Sequence, residues 1–214
     1  MEGVGGPIGF YLGNLGQEEQ MKTPSRVCML MAVAPLLCGA GCGQKNDEQK
    51  AKAEDFGWFS YAPPEGWKRL DMSSDATSIA FLPSPAVRGS EVCKVEVSQV
   101  DWMKVKEGEL AATCVGDIRQ HWEHDKKQAE LQGKTAPPFQ CEKVAGVVDC
   151  PGQIDAYSIQ LVRNGRSLNF LTHYIEIAGG RRVIVEFVGS DLLFTQYLAA
   201  VKSSLETIQF ADAN

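Results

Sequence analysis

No Cys-x-x-Cys pair, no Gly-x-Ser-x-Gly elbow and no apolar run of membrane-spanning length occurs in this 214-residue chain. The first absence argues against a structural zinc site built on paired thiols. The second removes the strand–turn–helix nucleophile of the serine hydrolases, since Gly89-Ser90-Glu91 lacks that setting. Gly179-Gly180-Arg181-Arg182 is not followed by the Lys-Ser/Thr of a Walker loop and reads as turn chemistry. No basic stripe is present, and the formal net charge is −6, so nucleic acid is excluded as the expected partner. Histidine is scarce, with three in all, and no pair of carboxylates stands out along the chain. No cofactor-binding motif is present, and an enzyme reading finds no positive support. The charge favours solubility and little else.

What the chain does have is an ordered segment from Met21 to Cys42, MKTPSRVCMLMAVAPLLCGAGC. Lys22 and Arg26 form a positive start, Val27–Leu37 is apolar, and Gly39-Ala40-Gly41 supplies small residues before Cys42. This is the layout of an export signal with its cleavage site. About 15 residues separate Val27 from Gly41, fewer than the ~20 needed to span the hydrocarbon core, and Pro35 interrupts a helix there. Two cleavage readings compete. An ordinary signal peptidase accepts small residues at Gly39 and Gly41. Alternatively, the segment resembles a bacterial lipoprotein signal, whose lipobox ends in the cysteine that is acylated. Ala40-Gly41-Cys42 matches the last three positions of that box, and Gly39 departs from it where the family prefers Leu. Gly43–Asp55 (GQKNDEQKAKAED) is polar and charged without an apolar pattern and reads as a flexible tether. A tether directly after a cysteine suits an anchored globular domain, and the lipoprotein reading is preferred, with Cys42 as the lipidated residue. Each buried CH₂ contributes about 0.8 kcal/mol, so a single chain anchors marginally and two hold stably. The resemblance implies two or three chains.

Residues 1–20 are Gly-rich and lack any basic residue, so they do not fit a signal's positive start. They read as a start-site artefact or a disordered extension. The organisation is therefore 1–20 excluded, 21–41 signal, 42–55 lipid-anchored tether and 56–210 a single globular domain. The chain from Cys42 is roughly 173 residues, a length suited to one domain, and carries a net charge of about −5.

Within the domain, Phe56–Trp67 (FGWFSYAPPEGW) opens with an aromatic strand and a Pro63-Pro64-Glu65-Gly66 turn. Ser78–Leu82 is a short strand stopped by Pro83 and Pro85. Val92–Val100 alternates, with Cys93, Val95 and Val97 on one face and Lys94, Glu96 and Ser98 on the other. Glu107–Gln132 is a helix with Leu110, Cys114, Ile118 and Trp122 on one stripe and Gly133 as its stop. Phe139–Cys150 is expected to hold a strand pair around Ala145-Gly146. Asp155–Arg163 and Ser167–Ile177 flank Asn164-Gly165, a strong hairpin signal. Gly179-Gly180 turns the chain into Arg182–Val188. Ser190 can cap a last helix with the stripe Leu193, Tyr197, Val201, Ser204 and Ile208. The order predicts an α+β domain, a mostly antiparallel β-sheet packed with helices. The opening FSYAPPEGW, with its Pro64–Trp67 phrase, the central helix and the closing VKSSLETIQF resemble the PsbP-like and DcrB-like α/β/α sandwich domains. That resemblance covers about Phe56–Phe210. It implies accessory, assembly or binding roles in an exported or lipid-anchored setting, and no catalytic residue.

Of seven cysteines, Cys28 and Cys38 leave with the signal and Cys42 takes the lipid. Four remain, an even number that reads as disulfides in an exported domain. Three pairings are possible. Cys93 and Cys114 both lie on apolar stripes, and Cys141 and Cys150 flank Gly146. Cys93–Cys114 and Cys141–Cys150 are therefore expected, each contributing about 2–4 kcal/mol. The alternative is four buried free thiols. His121-Trp122-Glu123-His124 holds the only close His pair, but Asp125-Lys126-Lys127 continues it as a solvated helix face, with Trp122 inward. His173, between Thr172 and Tyr174, is expected to be a cross-strand surface residue. The preferred function is a non-catalytic, membrane-anchored envelope module with a protein or small-ligand partner. It would sit on the outer membrane by preference, with its domain in the periplasm or at the cell surface. The alternatives are an enzyme of another kind and a metal-binding envelope protein using His121 and His124.

Overall fold

Alternation of apolar and polar residues dictates most of this architecture. The computed structural model describes residues 52–71, 77–84, 92–163 and 165–211, all within one unit spanning Glu48–Asn214. The prefix, the signal-like segment and Cys42 lie outside the described residues. The strands and helices run β1 (Glu54–Asp55), β2 (Phe59–Tyr61), β3 (Lys68–Asp71), β4 (Ser78–Leu82), β5 (Cys93–Gln99), α1 (Leu110–Leu131), β6 (Phe139–Val144), β7 (Gln153–Arg163), β8 (Arg166–Ile177), β9 (Arg181–Gly189), α2 (Asp191–Leu205) and β10 (Gln209–Phe210). A seven-stranded antiparallel sheet has the order β3-β4-β5-β9-β8-β7-β6, and a three-stranded sheet has the order β1-β2-β10. The expected α+β class, a mostly antiparallel sheet with helices packed on it, is what the chain adopts.

Successive residues of a strand point to opposite faces, so the register assigns each side chain to a layer. Cys93, Val95, Val97, Leu171, Ile175, Val183, Val185 and Phe187 share one face with Leu193, Val201 and Leu205 of α2. The opposite face carries Ile159, Leu168, Phe170 and Val188, packed against Ile118 of α1, Phe139 and Cys141. The two helices thus lie on opposite faces of the large sheet. β8 and β9, central and covered on both faces, are buried nearly without interruption rather than in alternation. The small sheet joins the α2 layer: Phe59 and Tyr61 are buried with Leu205 and Ile208, and the Tyr61 hydroxyl meets Ser204 Oγ at 3.0 Å. The Pro64–Trp67 turn is closed by Trp67 N–H donating to Pro64 C=O at 3.1 Å, with Gly66 at φ 74°. It places Trp67 edge-on to Tyr197 of α2, with ring centroids 5.4 Å apart.

Several expectations need correction. The tether ends earlier than Asp55, because Glu54–Asp55 pair with β2 as β1. Residues 139–150 form no strand pair: β6 pairs with β7, and 145–152 is a loop laid over the sheet. A Cβ on Gly146 would stand 2.6 Å from Ile154 Cγ2, so glycine there serves a close approach rather than a hairpin turn. Ser190 is the residue before α2, but its hydroxyl makes no capping bond. The β7–β8 junction does fall at Gly165, at φ 72°, between paired Arg163 and Arg166; Asn164 lies outside the described residues.

Candidate functional site

Charged groups inside a packed domain cost free energy unless partnered, so buried ones mark where a fold invests in polar chemistry. The α1 face holds two such groups. The first is built from Glu176 and Arg182, register partners on β8 and β9. Arg182 Nε donates to Glu176 Oε2 at 3.3 Å, and both side chains are about nine-tenths buried, at 10% and 8% exposed. The guanidinium also donates to Met103 C=O at 3.0 Å and Val105 C=O at 2.9 Å. Arg182 N–H donates to Asp101 Oδ1, and Val100 N–H to Arg182 C=O at 3.0 Å. The connection from β5 to α1 is therefore fastened along its length to one residue of β9.

Glu176 completes this arrangement. Its carboxylate accepts from Leu110 N–H at 2.9 Å and Gly108 N–H at 3.2 Å. Glu109, the residue before α1, makes no side-chain cap, and the first turn of α1 contains no acid. A carboxylate from a distant strand thus satisfies the orphan amides and meets the positive end of the helix dipole.

The second group lies on the β4, β5 and β9 part of the same face. Ser78 Oγ donates to Glu96 Oε1 at 2.8 Å and meets Ser98 Oγ at 2.9 Å, while Lys94 Nζ donates to Glu96 Oε2 at 2.5 Å. Glu186 stands directly opposite Glu96 in the β5–β9 register, and Thr172 stands opposite Glu186 on β8. Burial first, and then the Glu96 charge, push the Glu186 carboxyl up to about 7; Lys94 and the Thr172 hydroxyl act the other way. The chain read in one dimension showed no carboxylate pair, because these two are brought together only by strand pairing. The available signal was Glu186 itself, a lone acid within the apolar run Val183–Val188.

His173 overturns its surface expectation. It is fully buried on the α2 face, since a central strand covered on both sides has no surface. Val147 N–H donates to its Nε2 at 3.5 Å, leaving Nδ1 without a partner, and burial pushes its pKa down to about 4. The ring is neutral at physiological pH and serves as a seat for the 145–152 loop.

Cys93, Cys114, Cys141 and Cys150 are free thiols, so neither expected disulfide is formed. Cys93 packs in the α2 layer and Cys114 on α1 beyond the opposite face, with the sheet between them. Cys141 faces α1 and pairs in register with Ile159, whereas Cys150 packs in the α2 layer. Burial pushes Cys93 up to about 11. Burial, with the nearby charges of Asp117, Glu176 and Glu186, pushes Cys114 to about 12. Neither is an activated nucleophile. His121 and His124 are exposed on α1, His121 Nδ1 lying 2.8 Å from Asp117 C=O. No group of three metal-ligating side chains occurs among the described residues. Trp122 is half-buried, stacked on Phe139 with centroids 5.1 Å apart, its indole N–H donating to Pro137 C=O.

No protein-family model matches the chain, and no curated protein sequence does. Among solved structures, it is similar to LpqN of Mycobacterium tuberculosis, described as involved in cell envelope biogenesis, at 12% identity and a TM-score of 0.43, covering 72% of this chain and 83% of that one. It is also similar to the Ran-binding protein Mog1p of Saccharomyces cerevisiae, at 14% identity and a TM-score of 0.41, covering 75% and 95%. A third is the cyanobacterial PsbP of Synechocystis, at 12% identity and a TM-score of 0.41, covering 80% and 98%.

Proposed function

We propose that this protein is a non-catalytic accessory module of the cell envelope, held to a membrane by lipid on Cys42. The observation that carries this reading is the order of Met21–Cys42, a positive start, an apolar run and a small-residue site ending in cysteine, followed at once by a charged stretch. Buried polar chemistry offers a consistent picture: Glu176 and Arg182 are spent on fastening the β5–α1 connection, and the buried thiols are held protonated by their surroundings. No helix among the described residues is long and apolar enough to cross a membrane, so attachment in this reading rests on the acylated cysteine. The outer membrane is the preferred site, with the domain in the periplasm or at the surface, engaging a protein or small-ligand partner.

Intact mass of protein extracted from its own membrane tests the anchor. The expected product begins at Cys42 and carries two or three acyl chains. An unmodified, water-soluble product overturns the anchored reading.

A further inference from the structure

Trp102 stands 64% exposed in the β5–α1 connection, on a chain with only four tryptophans. A single exposed apolar side chain is ordinary, but this one is neither isolated nor loosely held. Asp101, Met103 and Val105, on either side of it, are each bonded to Arg182, so the backbone presenting the indole is fixed to the core. The same corner gathers a second indole. Gln99 Nε2 donates to Phe56 C=O at 2.9 Å, and the Arg181 guanidinium lies 5.9 Å from the centre of the Trp58 ring. Lys104 and Lys106 follow Trp102 in exposed positions.

We propose that this corner, led by Trp102, docks into the interfacial layer of the membrane that carries the anchor. The inference rests on the lipoprotein reading. Indole rings favour the headgroup region, where an apolar body and a polar N–H are both accommodated, and long basic side chains beside them reach to the phosphates. The path of the chain agrees. Phe56, directly after β1, is bonded into this corner, and Cys42 precedes Glu54 by twelve residues. At about 3.3–3.6 Å per residue that stretch reaches at most about 43 Å, so the anchor keeps the corner within range of the bilayer. The basic groups Lys104, Lys106 and Arg181 are offset by Asp101, Glu107 and Glu109, and Lys106 lies 3.9 Å from Glu109. Attraction therefore comes from the indole rather than from net charge, and zwitterionic lipid suffices.

The test uses the full mature protein, purified from its membrane and reconstituted into phosphatidylcholine vesicles with brominated acyl chains. Brominated lipid is expected to quench tryptophan emission, and Trp102→Phe to remove most of that quenching at an unchanged melting temperature. Acylated, vesicle-bound protein without quenching assignable to Trp102 overturns the docking while leaving the anchor in place. The same holds if Trp102→Phe instead abolishes co-purification of a protein partner and leaves quenching unaltered. Protein that lacks acyl mass and does not float with the vesicles overturns both.

Discussion

The two faces of the large sheet solve burial differently. On the α2 face, aliphatic and aromatic side chains from β4, β5, β8, β9, the small sheet and α2 form one contiguous core, with His173 seated beneath the 145–152 loop. On the α1 face, the apolar cluster around Ile159, Phe170 and Ile118 is joined by a charged fastening at Glu176–Arg182 and a polar strip at Glu96–Glu186. The α2 face draws its stability from area removed from water. The other face depends on charged groups that meet across paired strands, so it is expected to tolerate substitution of the pair better than loss of one member.

The largest effect that separates the faces is expected at Arg182. Arg182→Ala leaves Glu176 buried without its cation and frees the Met103 and Val105 carbonyls, so denaturant unfolding should register a loss of about 3–5 kcal/mol. Replacing both residues, as Glu176→Leu with Arg182→Met, should recover much of that. The loss of the α1 cap would keep about 1 kcal/mol of the cost. A double variant as unstable as the single one would show that shape, not charge, governs this face.

Phe187→Ala on the α2 face is expected to cost about 3–5 kcal/mol through the cavity it leaves, with no rescue by a charge change elsewhere. A loss below about 1 kcal/mol would break the picture of a tightly packed layer.

The pH dependence of stability sets the faces against each other. Glu186 has a raised folded pKa, so its contribution is fully present below its ordinary 4.5 and is lost as pH rises through about 7. His173 has a depressed folded pKa, so its contribution is present above its ordinary 6.5 and is lost as pH falls through about 4. Glu186→Gln should therefore stabilise the protein near pH 8 and leave a profile that falls only on acidification. A profile unchanged by Glu186→Gln in urea titrations across that range would place the carboxyl in open solvent.

A smaller effect is expected from Tyr61→Phe, which removes the bond to Ser204 between the small sheet and α2 and costs about 1 kcal/mol of melting stability. Smallest of all, reductant should leave the melting temperature unmoved, because the four described cysteines carry no cross-link.

Local pattern made much of the fold legible. The Ser78–Leu82 strand falls where its apolar run and Pro83 place it, and the β5 and α1 stripes bury the side they present as apolar. Glycine at 165 marks the β7–β8 junction because a left-handed backbone there costs it little. The errors share one cause. Alternation says which side of an element is apolar, but not which face of the sheet that element covers. Cys93 and Cys114, each correctly placed on an apolar stripe, therefore end in different layers. Likewise Val147 and Val148 look like a returning strand but pack as loop residues, because β6 finds its partner in β7.

The sequence alone determined both helices, most of the longer strands, the antiparallel α+β class and the segment on which the proposed anchor rests, since each depends on residues close along the chain; it missed β1 and β3 and misplaced the partner of β6. Tertiary structure alone decided the capping of α1 by Glu176, the opposition of Glu96 and Glu186, the burial of His173 and the exposure of Trp102. These depend on strand register and on which face each helix covers, and such contacts join residues whose separation along the chain carries no local signal.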